Sequence, residues 1–133
     1  MKVSKKIILT IVGLGVFGGI IFGTNYLINL QKYKNVIQAI SIKNDDLSTI
    51  SDGTYKGSFD AMMIAADVSV TVINHKITDI KLLRHKTERG QKAEVIPQKV
   101  IVAQSLNVDT ITGATNSSKV ILKAIENALE QKK

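Results

Sequence analysis

The hydrophobic and polar positions divide the chain into one long apolar run and a shorter region of alternating and helical patterns. The apolar run, Ile7–Leu30, reads IILTIVGLGVFGGIIFGTNYLINL and contains no charged residue. As a helix it would be about 36 Å long, at about 1.5 Å per residue, and the hydrocarbon core of a bilayer is about 30 Å thick. The pattern therefore predicts one N-terminal transmembrane helix.

A cleaved signal peptide is the main alternative for this segment. Its apolar region would normally run about 7–15 residues and end at an A-x-A-like site. The observed run is longer and ends in TNYLINL, without a convincing cleavage site. The sequence therefore favours a retained anchor over residues 1–30.

Lysines flank the anchor on both sides and indicate its orientation. Lys2, Lys5 and Lys6 precede the apolar run, and Lys32 and Lys34 follow it. With the free amino terminus counted, slightly more positive charge precedes the apolar run than follows it. This small excess predicts a single-pass protein of the cell membrane. Its N-terminus is expected to be cytoplasmic and its C-terminal domain extracytosolic.

Three glycines of the anchor, Gly15, Gly19 and Gly23, repeat every four residues and share one helix face. Small residues at this spacing let two helices approach closely, which would give a helix-mediated homodimer. Glycine is also simply common in membrane helices, and both interpretations stay open.

Residues 31–50 are interpreted as a stalk, and residues 51–133 as a globular domain. Val36, Ile37 and Ile40 give the stalk one apolar stripe at helical spacing, which the sequence KNDD interrupts. The domain has about 80 residues, a size that permits an adequate but not a generous core.

The first half of the domain has the pattern of antiparallel strands. Asp52–Phe59, DGTYKGSF, predicts a turn followed by an edge strand. In Asp67–His85, valines alternate with polar residues, NHK forms a turn, and the alternation resumes at Ile77, Ile80 and Leu82. This pattern predicts a hairpin with one buried face.

The second half has the pattern of two helices. Pro97 stands where a first helical residue would, ahead of Gln98–Ser105, from which Val100, Ile101 and Ala103 are expected to pack on the sheet. In the last helix, apolar side chains recur along two adjacent rows. They are Val120, Ile121, Ala124, Ile125, Ala128 and Leu129. The predicted fold class is α+β: a small antiparallel sheet packed with two helices, preceded by one N-terminal transmembrane helix and a short stalk.

Composition excludes several kinds of chemistry. The chain has no Cys, which removes disulfides, iron–sulfur ligands and thiol nucleophiles, and its two histidines are too far apart to suggest a zinc site. The net charge is +7, but the basic residues are spread out and no basic run is interleaved with aromatic residues. The sequence therefore gives no indication of nucleic-acid binding.

The stretch DTITGATNSS, Asp109–Ser118, directly precedes the last helix. A helix N-terminus offers unpaired N–H groups and the positive end of a dipole, and both attract phosphate. Gly113 would let the backbone approach a ligand or adopt a positive φ. Hydroxyls surround the position, from Thr112, Thr115, Ser117 and Ser118. The alternative is ordinary capping, with Thr115, Asn116 or Ser117 as N-cap and Asp109 as a turn residue.

DTITGAT, Asp109–Thr115, resembles the flavinylation motif of the FMN-binding domain family, which includes small extracytosolic electron carriers and a subunit of membrane ion-pumping redox complexes. DGTYKGSF is similar to the opening strand of that family. Val68–Glu88 is similar to its hairpin and the polar stretch that follows, and Ile96–Leu129 follows its order of helix, motif and helix. The resemblance covers Asp52–Leu129, nearly all of the predicted domain.

The resemblance implies that FMN is the cofactor and that Thr115 carries it through a phosphoester bond installed by a separate flavin transferase. Other motif positions match those that the transferase and the phosphate recognise: Asp109, Thr112, Gly113 and Ala114. Ser117 and Ser118 could donate hydrogen bonds to the phosphate. His85 and Arg89 stand where the family has residues near the flavin; a solvated loop would explain them equally well.

One segment departs from the family. Members often carry a glycine-rich stretch after the first strand, whereas this chain has FDAMMIAAD, Phe59–Asp67. Met62, Met63 and Ile64 could pack against the isoalloxazine ring, but we favour a core role for them. Tyr55 could likewise stack on a flavin, although core packing is the favoured interpretation.

The resemblance implies a redox carrier rather than a stand-alone catalyst. The expected function is a membrane-anchored extracytosolic flavoprotein that relays electrons from a membrane-bound donor to an extracytosolic acceptor. Two alternatives remain. One is a non-redox, membrane-anchored binding or assembly module, and the other is a domain that binds FMN without a covalent bond.

Overall fold

The structure is a computed structural model that describes residues 2–131. It contains three helices, three antiparallel strands and two short 3-10 segments, and it is an α+β protein as predicted. The elements are α1 (Lys5–Ala39), a 3-10 segment (Leu47–Thr49), β1 (Gly53–Asp60), β2 (Ala65–Ile73), β3 (Lys76–Lys86), a 3-10 segment (Gln91–Val95), α2 (Ile96–Ala103) and α3 (Thr115–Glu130). They form two compact units, the first ending at Asn35 and the second beginning at Val36.

Helix α1 is long and apolar enough to cross a membrane. It continues through Ala39, beyond the predicted end of the anchor at Leu30. Its large apolar side chains from Ile7 to Ile28 are exposed, as expected of a helix surrounded by lipid, whereas Ile37 near its end is buried. A Cβ atom added at Gly15, Gly19 or Gly23 would meet nothing within 4 Å, so this glycine face is open. Pairing of two such helices stays a prediction.

The sheet has the order β1-β2-β3, and β1 lies at its edge, as predicted. Asn74 and His75 form the hairpin turn with φ angles of 51° and 61°. Two consecutive positive φ angles match the right-handed twist of the flanking strands, and asparagine tolerates them well. On the buried face, the side chains of Val68, Val70 and Val72 are fully inaccessible to solvent. The predicted alternation of this hairpin is therefore confirmed.

Helix α3 covers the buried face of the sheet and contacts β1 and β2. The apolar side chains predicted for its two rows are all buried. Gly57 of β1 lies directly beneath the helix, where an added Cβ would collide with the backbone at Ala124 and Ala128. The absence of a side chain at this position allows the helix to sit close to the strand.

The segment between α1 and β1 belongs to the second compact unit and is held there by hydrogen bonds. Nζ of Lys123 donates to the carbonyl of Ser41 at 3.3 Å, and the N–H of Leu106 donates to Oδ1 of Asn44 at 3.0 Å. Asp46 accepts a hydrogen bond from the N–H of Ser48 at 2.9 Å, and hydrogen bonding by Ser48 lowers the pKa of this carboxyl. Ser41 and Asn44 of the predicted stalk are therefore hydrogen-bonded to residues of the globular part.

Helix α2 contacts β3, and the side chain of Val100 on this helix is fully buried. Ala103 is exposed, so its predicted packing on the sheet is wrong. The helix ends there, and the next residue, Gln104, takes a left-handed conformation with φ 49°. The Gln104 amide then pairs with the edge of β3, accepting from the N–H of Ile77 at 2.8 Å and donating to its carbonyl at 2.7 Å.

Candidate functional site

A tight turn precedes α3. The N–H of Ala114 donates to the carbonyl of Ile111 at 2.9 Å, and Gly113 has a φ of +81°. This positive φ at the third position of a turn is the conformation for which glycine is favoured. A Cβ added to Gly113 would meet nothing within 4 Å, so this side of the turn is open. The predicted use of Gly113 for a positive φ is therefore confirmed.

Ser118 supports this turn from inside. Its Oγ accepts a hydrogen bond from the N–H of Ile111 at 3.0 Å and donates one to the carbonyl of Ala114 at 2.8 Å. The residue is fully buried. Because its hydroxyl hydrogen is directed to Ala114, Ser118 does not offer the phosphate donor that the sequence suggested.

Ser117 is also fully buried and connects α3 to the end of the sheet. Its Oγ lies 3.1 Å from Oγ1 of Thr87, which in turn accepts a hydrogen bond from the N–H of Gly90 at 2.9 Å. A Cβ added to Gly90 would lie 2.6 Å from Cβ of Ser117. The loop after β3 is thus packed closely against the first turn of α3.

Thr115 is the first residue of α3, and it is exposed. The N-cap is Ala114, with φ −139° and ψ 34°, and it provides no side-chain cap. The interpretation of Thr115, Asn116 or Ser117 as an ordinary N-cap is therefore wrong, because all of them lie inside the helix. The N-terminal turn of α3 has a hydroxyl at its surface and no capping side chain at Ala114.

The remaining motif residues differ in their exposure to solvent. Asp109, Thr112 and Gly113 are exposed, and Ala114 is buried. Nζ of Lys99 donates to the backbone carbonyl of Asp109 at 3.3 Å. A groove of about 390 Å³ lies at this point. It is lined by Gln98, Lys99, Val102, Ala103, Asn107, Val108 and Asp109, and its volume falls in the range of about 300–1,000 Å³ that is usual for small-molecule sites.

His85 is part of β3, so its interpretation as a solvated-loop residue is wrong. Its side chain is only 3% exposed, and Nδ1 lies 2.9 Å from Oε1 of Glu94. Nε2 is buried and has no hydrogen-bond partner among residues 2–131. An unsatisfied buried polar atom costs about 1–3 kcal/mol. Arg89, the other predicted residue of this region, is exposed.

The segment that departs from the family forms the turn between β1 and β2. Met62 is 40% exposed and Met63 and Ile64 are half-buried, so the core interpretation is wrong for Met62. Met62 has a φ of 72°, a conformation that glycine adopts freely and methionine rarely. Nζ of Lys86 donates to the carbonyl of Met62 at 2.6 Å.

Tyr55 is half-buried on β1. Its hydroxyl donates to the carbonyl of Ser51 at 2.9 Å, which fastens the chain just before the strand. This contact gives Tyr55 a structural role.

The residues around Thr115 fit a phosphate-bearing cofactor. Thr115 is exposed at the positive end of a helix dipole, beside a turn with an open side. The buried, unpartnered nitrogen of His85 is a polar group of the kind that a cofactor can satisfy. No group of three or more metal-ligating side chains occurs in the part of the chain that the structure describes.

A relative from Vibrio harveyi, named NADH:acrylate oxidoreductase, is 39% identical over 66 residues. The matched region covers 47% of this chain and 7% of the relative, so the chain spans only a small part of that protein's length. The similarity therefore concerns one domain of a larger redox enzyme.

The profile of the FMN-binding domain matches residues 64–130, which is half of the chain. The matched region begins at the turn before β2 and includes the hairpin, α2, the DTITGAT motif and α3. It thus contains Thr115 and the helix that begins there, but not β1. The chain belongs to the FMN-binding domain family, and FMN is its cofactor.

Proposed function

We propose that this protein is a membrane-anchored, extracytosolic electron carrier that holds FMN through a phosphoester bond to Thr115. The observation that carries the proposal is the position of Thr115, which is exposed at the first residue of α3 behind an N-cap without a capping side chain. At that point the helix dipole and the N–H groups of the first turn would stabilise a covalently held phosphate.

The other hydroxyls at the start of α3 are less suited to attachment. Ser117 and Ser118 are buried and engaged in hydrogen bonds within the protein. Thr112 is exposed but lies in the turn, three residues before the helix begins. Thr115 alone among these four combines exposure with the helix N-terminus.

The neighbouring residues have supporting roles in this proposal. Four of them present the Thr115 hydroxyl to a flavin transferase and leave space for the phosphate: Asp109, Thr112, Gly113 and Ala114. Ser117 and Ser118 hold the turn and the helix in place. Arg89 is exposed next to Gly90, which is packed against Ser117, and its guanidinium would pair with the phosphate.

FMN supplies one- or two-electron chemistry, and the chain supplies binding and orientation. A redox role is supported by the relative from Vibrio harveyi, whose name is that of an oxidoreductase. A covalent link keeps the cofactor at a high effective concentration, which matters on the outer side of a membrane where lost FMN would be diluted. We propose a membrane-bound donor and an extracytosolic acceptor.

The membrane location is supported by α1, which is long and apolar enough to cross a bilayer. The lysines before and after its apolar run favour a cytoplasmic N-terminus and an extracytosolic FMN domain in the cell membrane. In this arrangement the helix would hold the cofactor near membrane-bound redox partners.

The full chain should be produced with and without a flavin transferase, denatured, and examined for in-gel flavin fluorescence and for a mass gain equal to FMN. We expect a fluorescent band, with the added mass on the peptide that contains Thr115, and loss of both in Thr115→Ala. Thr110→Ala removes a hydroxyl five positions earlier and serves as the matched control, which should remain fluorescent.

The other outcomes identify the alternatives. Fluorescence that persists in Thr115→Ala would refute the attachment site. Flavin that is bound in the native protein but released on denaturation would show non-covalent binding. A protein without flavin, despite an active transferase, would point to a binding or assembly module.

A further inference from the structure

We propose that Lys119 binds the phosphate of FMN, its ammonium group donating a hydrogen bond to an unesterified phosphate oxygen of the cofactor on Thr115. The inference rests on the proposed attachment at Thr115, but it gives a role to a residue outside the DTITGAT motif. Lys119 would be a cofactor-binding residue one helical turn beyond the point of attachment.

Lys119 and Thr115 lie on the same face of α3. The helix begins at Thr115, so Lys119 follows the attachment residue by one turn. Helical residues four positions apart are neighbours, with Cβ atoms about 5–6 Å apart. Side chains on a helix also lean toward its N-terminus, so a long side chain covers the turn before its own Cα. The Lys119 ammonium is therefore expected to reach a group attached to Thr115.

The ammonium of Lys119 has no partner among residues 2–131, with which it forms neither a hydrogen bond nor an ion pair. The next lysine along this face, Lys123, differs. Its Nζ lies 3.0 Å from Oε2 of Glu126 and 3.3 Å from the carbonyl oxygen of Ser41. Both lysines are half-buried, but only Lys119 keeps its ammonium available for a ligand.

The start of α3 also lacks a negative charge of its own. Its first turn contains no acidic residue, and the N-cap residue Ala114 provides no side-chain cap. Negative groups are the ones that stabilise this end of a helix. A phosphate diester on Thr115 would therefore give a negative partner both to the helix end and to Lys119.

Lys119 and Arg89 do not compete for the phosphate in this proposal. A phosphate esterified to both Thr115 and the ribityl chain keeps two unesterified oxygens, and lysine and arginine are both hydrogen-bond donors without acceptor groups. Each cation can therefore donate to a different oxygen. Hydrogen bonds between ionised groups are stronger than those between neutral groups, so both would hold the attachment point in place.

The test is nitrogen-15 NMR of the lysine ammonium groups in the full chain, held in detergent, before and after loading by a flavin transferase. Mass spectrometry first establishes that FMN has been added at Thr115. A hydrogen bond from Nζ to a phosphate oxygen produces a scalar coupling between nitrogen and phosphorus. We expect this coupling at Lys119 in the loaded protein, and none at Lys81, which is exposed on β3.

Three lysine variants then test the charge. In Lys119→Gln the phosphorus resonance of the loaded protein should shift from its wild-type position, and Lys119→Arg should restore most of that position because the cation is kept. Lys81→Gln removes the same charge from a different element and should leave the resonance unchanged. The rise in unfolding temperature on loading should also be smaller in Lys119→Gln and less sensitive to added salt, since salt screens the attraction between charges.

Verified loading without nitrogen–phosphorus coupling at Lys119 would overturn the inference, and so would a phosphorus resonance that is the same in the wild type and Lys119→Gln. The coupling is measured in the wild type, so it decides the matter even where a variant is loaded poorly. Absence of the FMN mass at Thr115 would instead count against the proposed function, so the two failures are distinguishable.

Discussion

The hydroxyl oxygens of Thr87 and Ser117 lie 3.1 Å apart and join the end of β3 to the first turn of α3, across 30 residues of sequence. The N–H of Gly90 donates to the same Thr87 oxygen. The start of the helix that carries the proposed attachment site is therefore fixed to the end of the sheet by these hydrogen bonds.

Gly90→Ala should destabilise the protein. The new methyl group would lie 2.6 Å from Cβ of Ser117 and 2.5 Å from Oγ1 of Thr87. Overpacking of this kind costs about 1–3 kcal/mol, and we expect a loss of that size in the free energy of unfolding by urea. Flavinylation of Thr115 should also fall, because the first turn of α3 is displaced. Stability equal to that of the wild type would contradict the close packing of this loop.

Gly57→Ala should be more severe. Its methyl group would collide with the backbone of α3 at Ala124 and Ala128, and a helix backbone cannot move aside as a side chain can. We expect a loss of at least about 3 kcal/mol in the free energy of unfolding. Ser58→Ala, at the exposed neighbouring position, should change it by less than about 0.5 kcal/mol.

Gly113→Ala tests the backbone of the motif turn separately from packing. Nothing lies within 4 Å of the added methyl group, but the φ of +81° is unfavourable for alanine. The expected cost is about 1–2 kcal/mol in thermal or urea unfolding. Gly113→Asn should cost less, because asparagine tolerates left-handed conformations. Equal effects of the two substitutions would argue against a positive φ at this turn.

Met62→Gly should stabilise the protein. Met62 has a φ of 72° and is 40% exposed, so glycine would relieve backbone strain while little packing is lost. The backbone strain that is relieved amounts to about 1–2 kcal/mol. The greater flexibility of glycine in the unfolded chain partly offsets it, so the free energy of unfolding should rise by up to about 1 kcal/mol. Met63→Gly has no such strain to relieve and should be destabilising. The midpoints of urea unfolding distinguish the two.

Attachment of FMN should raise the unfolding temperature of the domain. Ala114 provides no side-chain cap for α3, and a phosphate at Thr115 would interact with the positive end of the helix. Such an interaction is worth about 0.3–1 kcal/mol in exposed positions, so a rise of a few degrees is expected. Differential scanning calorimetry of loaded and unloaded protein measures it, with Thr115→Ala produced alongside the transferase as the control. Identical unfolding temperatures would show that the phosphate does not stabilise the helix.

Most of the fold follows from hydrophobic periodicity. The alternating valines of β2 and the two apolar rows of α3 each have a single buried face, so the sequence predicts which side chains form the core. Gly113 is predictable for a related reason, because glycine between hydroxyl residues before a helix indicates a turn with unusual backbone angles.

Several features of the site depend on contacts that a local pattern does not contain. Ser118 could face the solvent or the turn, and only the approach of Ile111 directs its hydroxyl inward. The partner of His85 is Glu94, which comes from a 3-10 segment that the sequence did not predict. The exposure of Met62 results from the tight turn between β1 and β2, where backbone geometry overrides the tendency of methionine to be buried.

The missing cap at Ala114 has a consequence for the life of the protein in the cell. Copies that have not received their prosthetic group would lack the phosphate interaction at the start of their final helix, so they would unfold slightly more often than loaded copies, and proteases cut unfolded copies. Degradation would then remove unloaded copies faster than loaded ones. Riboflavin supply would in this way control how much of the carrier accumulates as well as how much of it can be reduced.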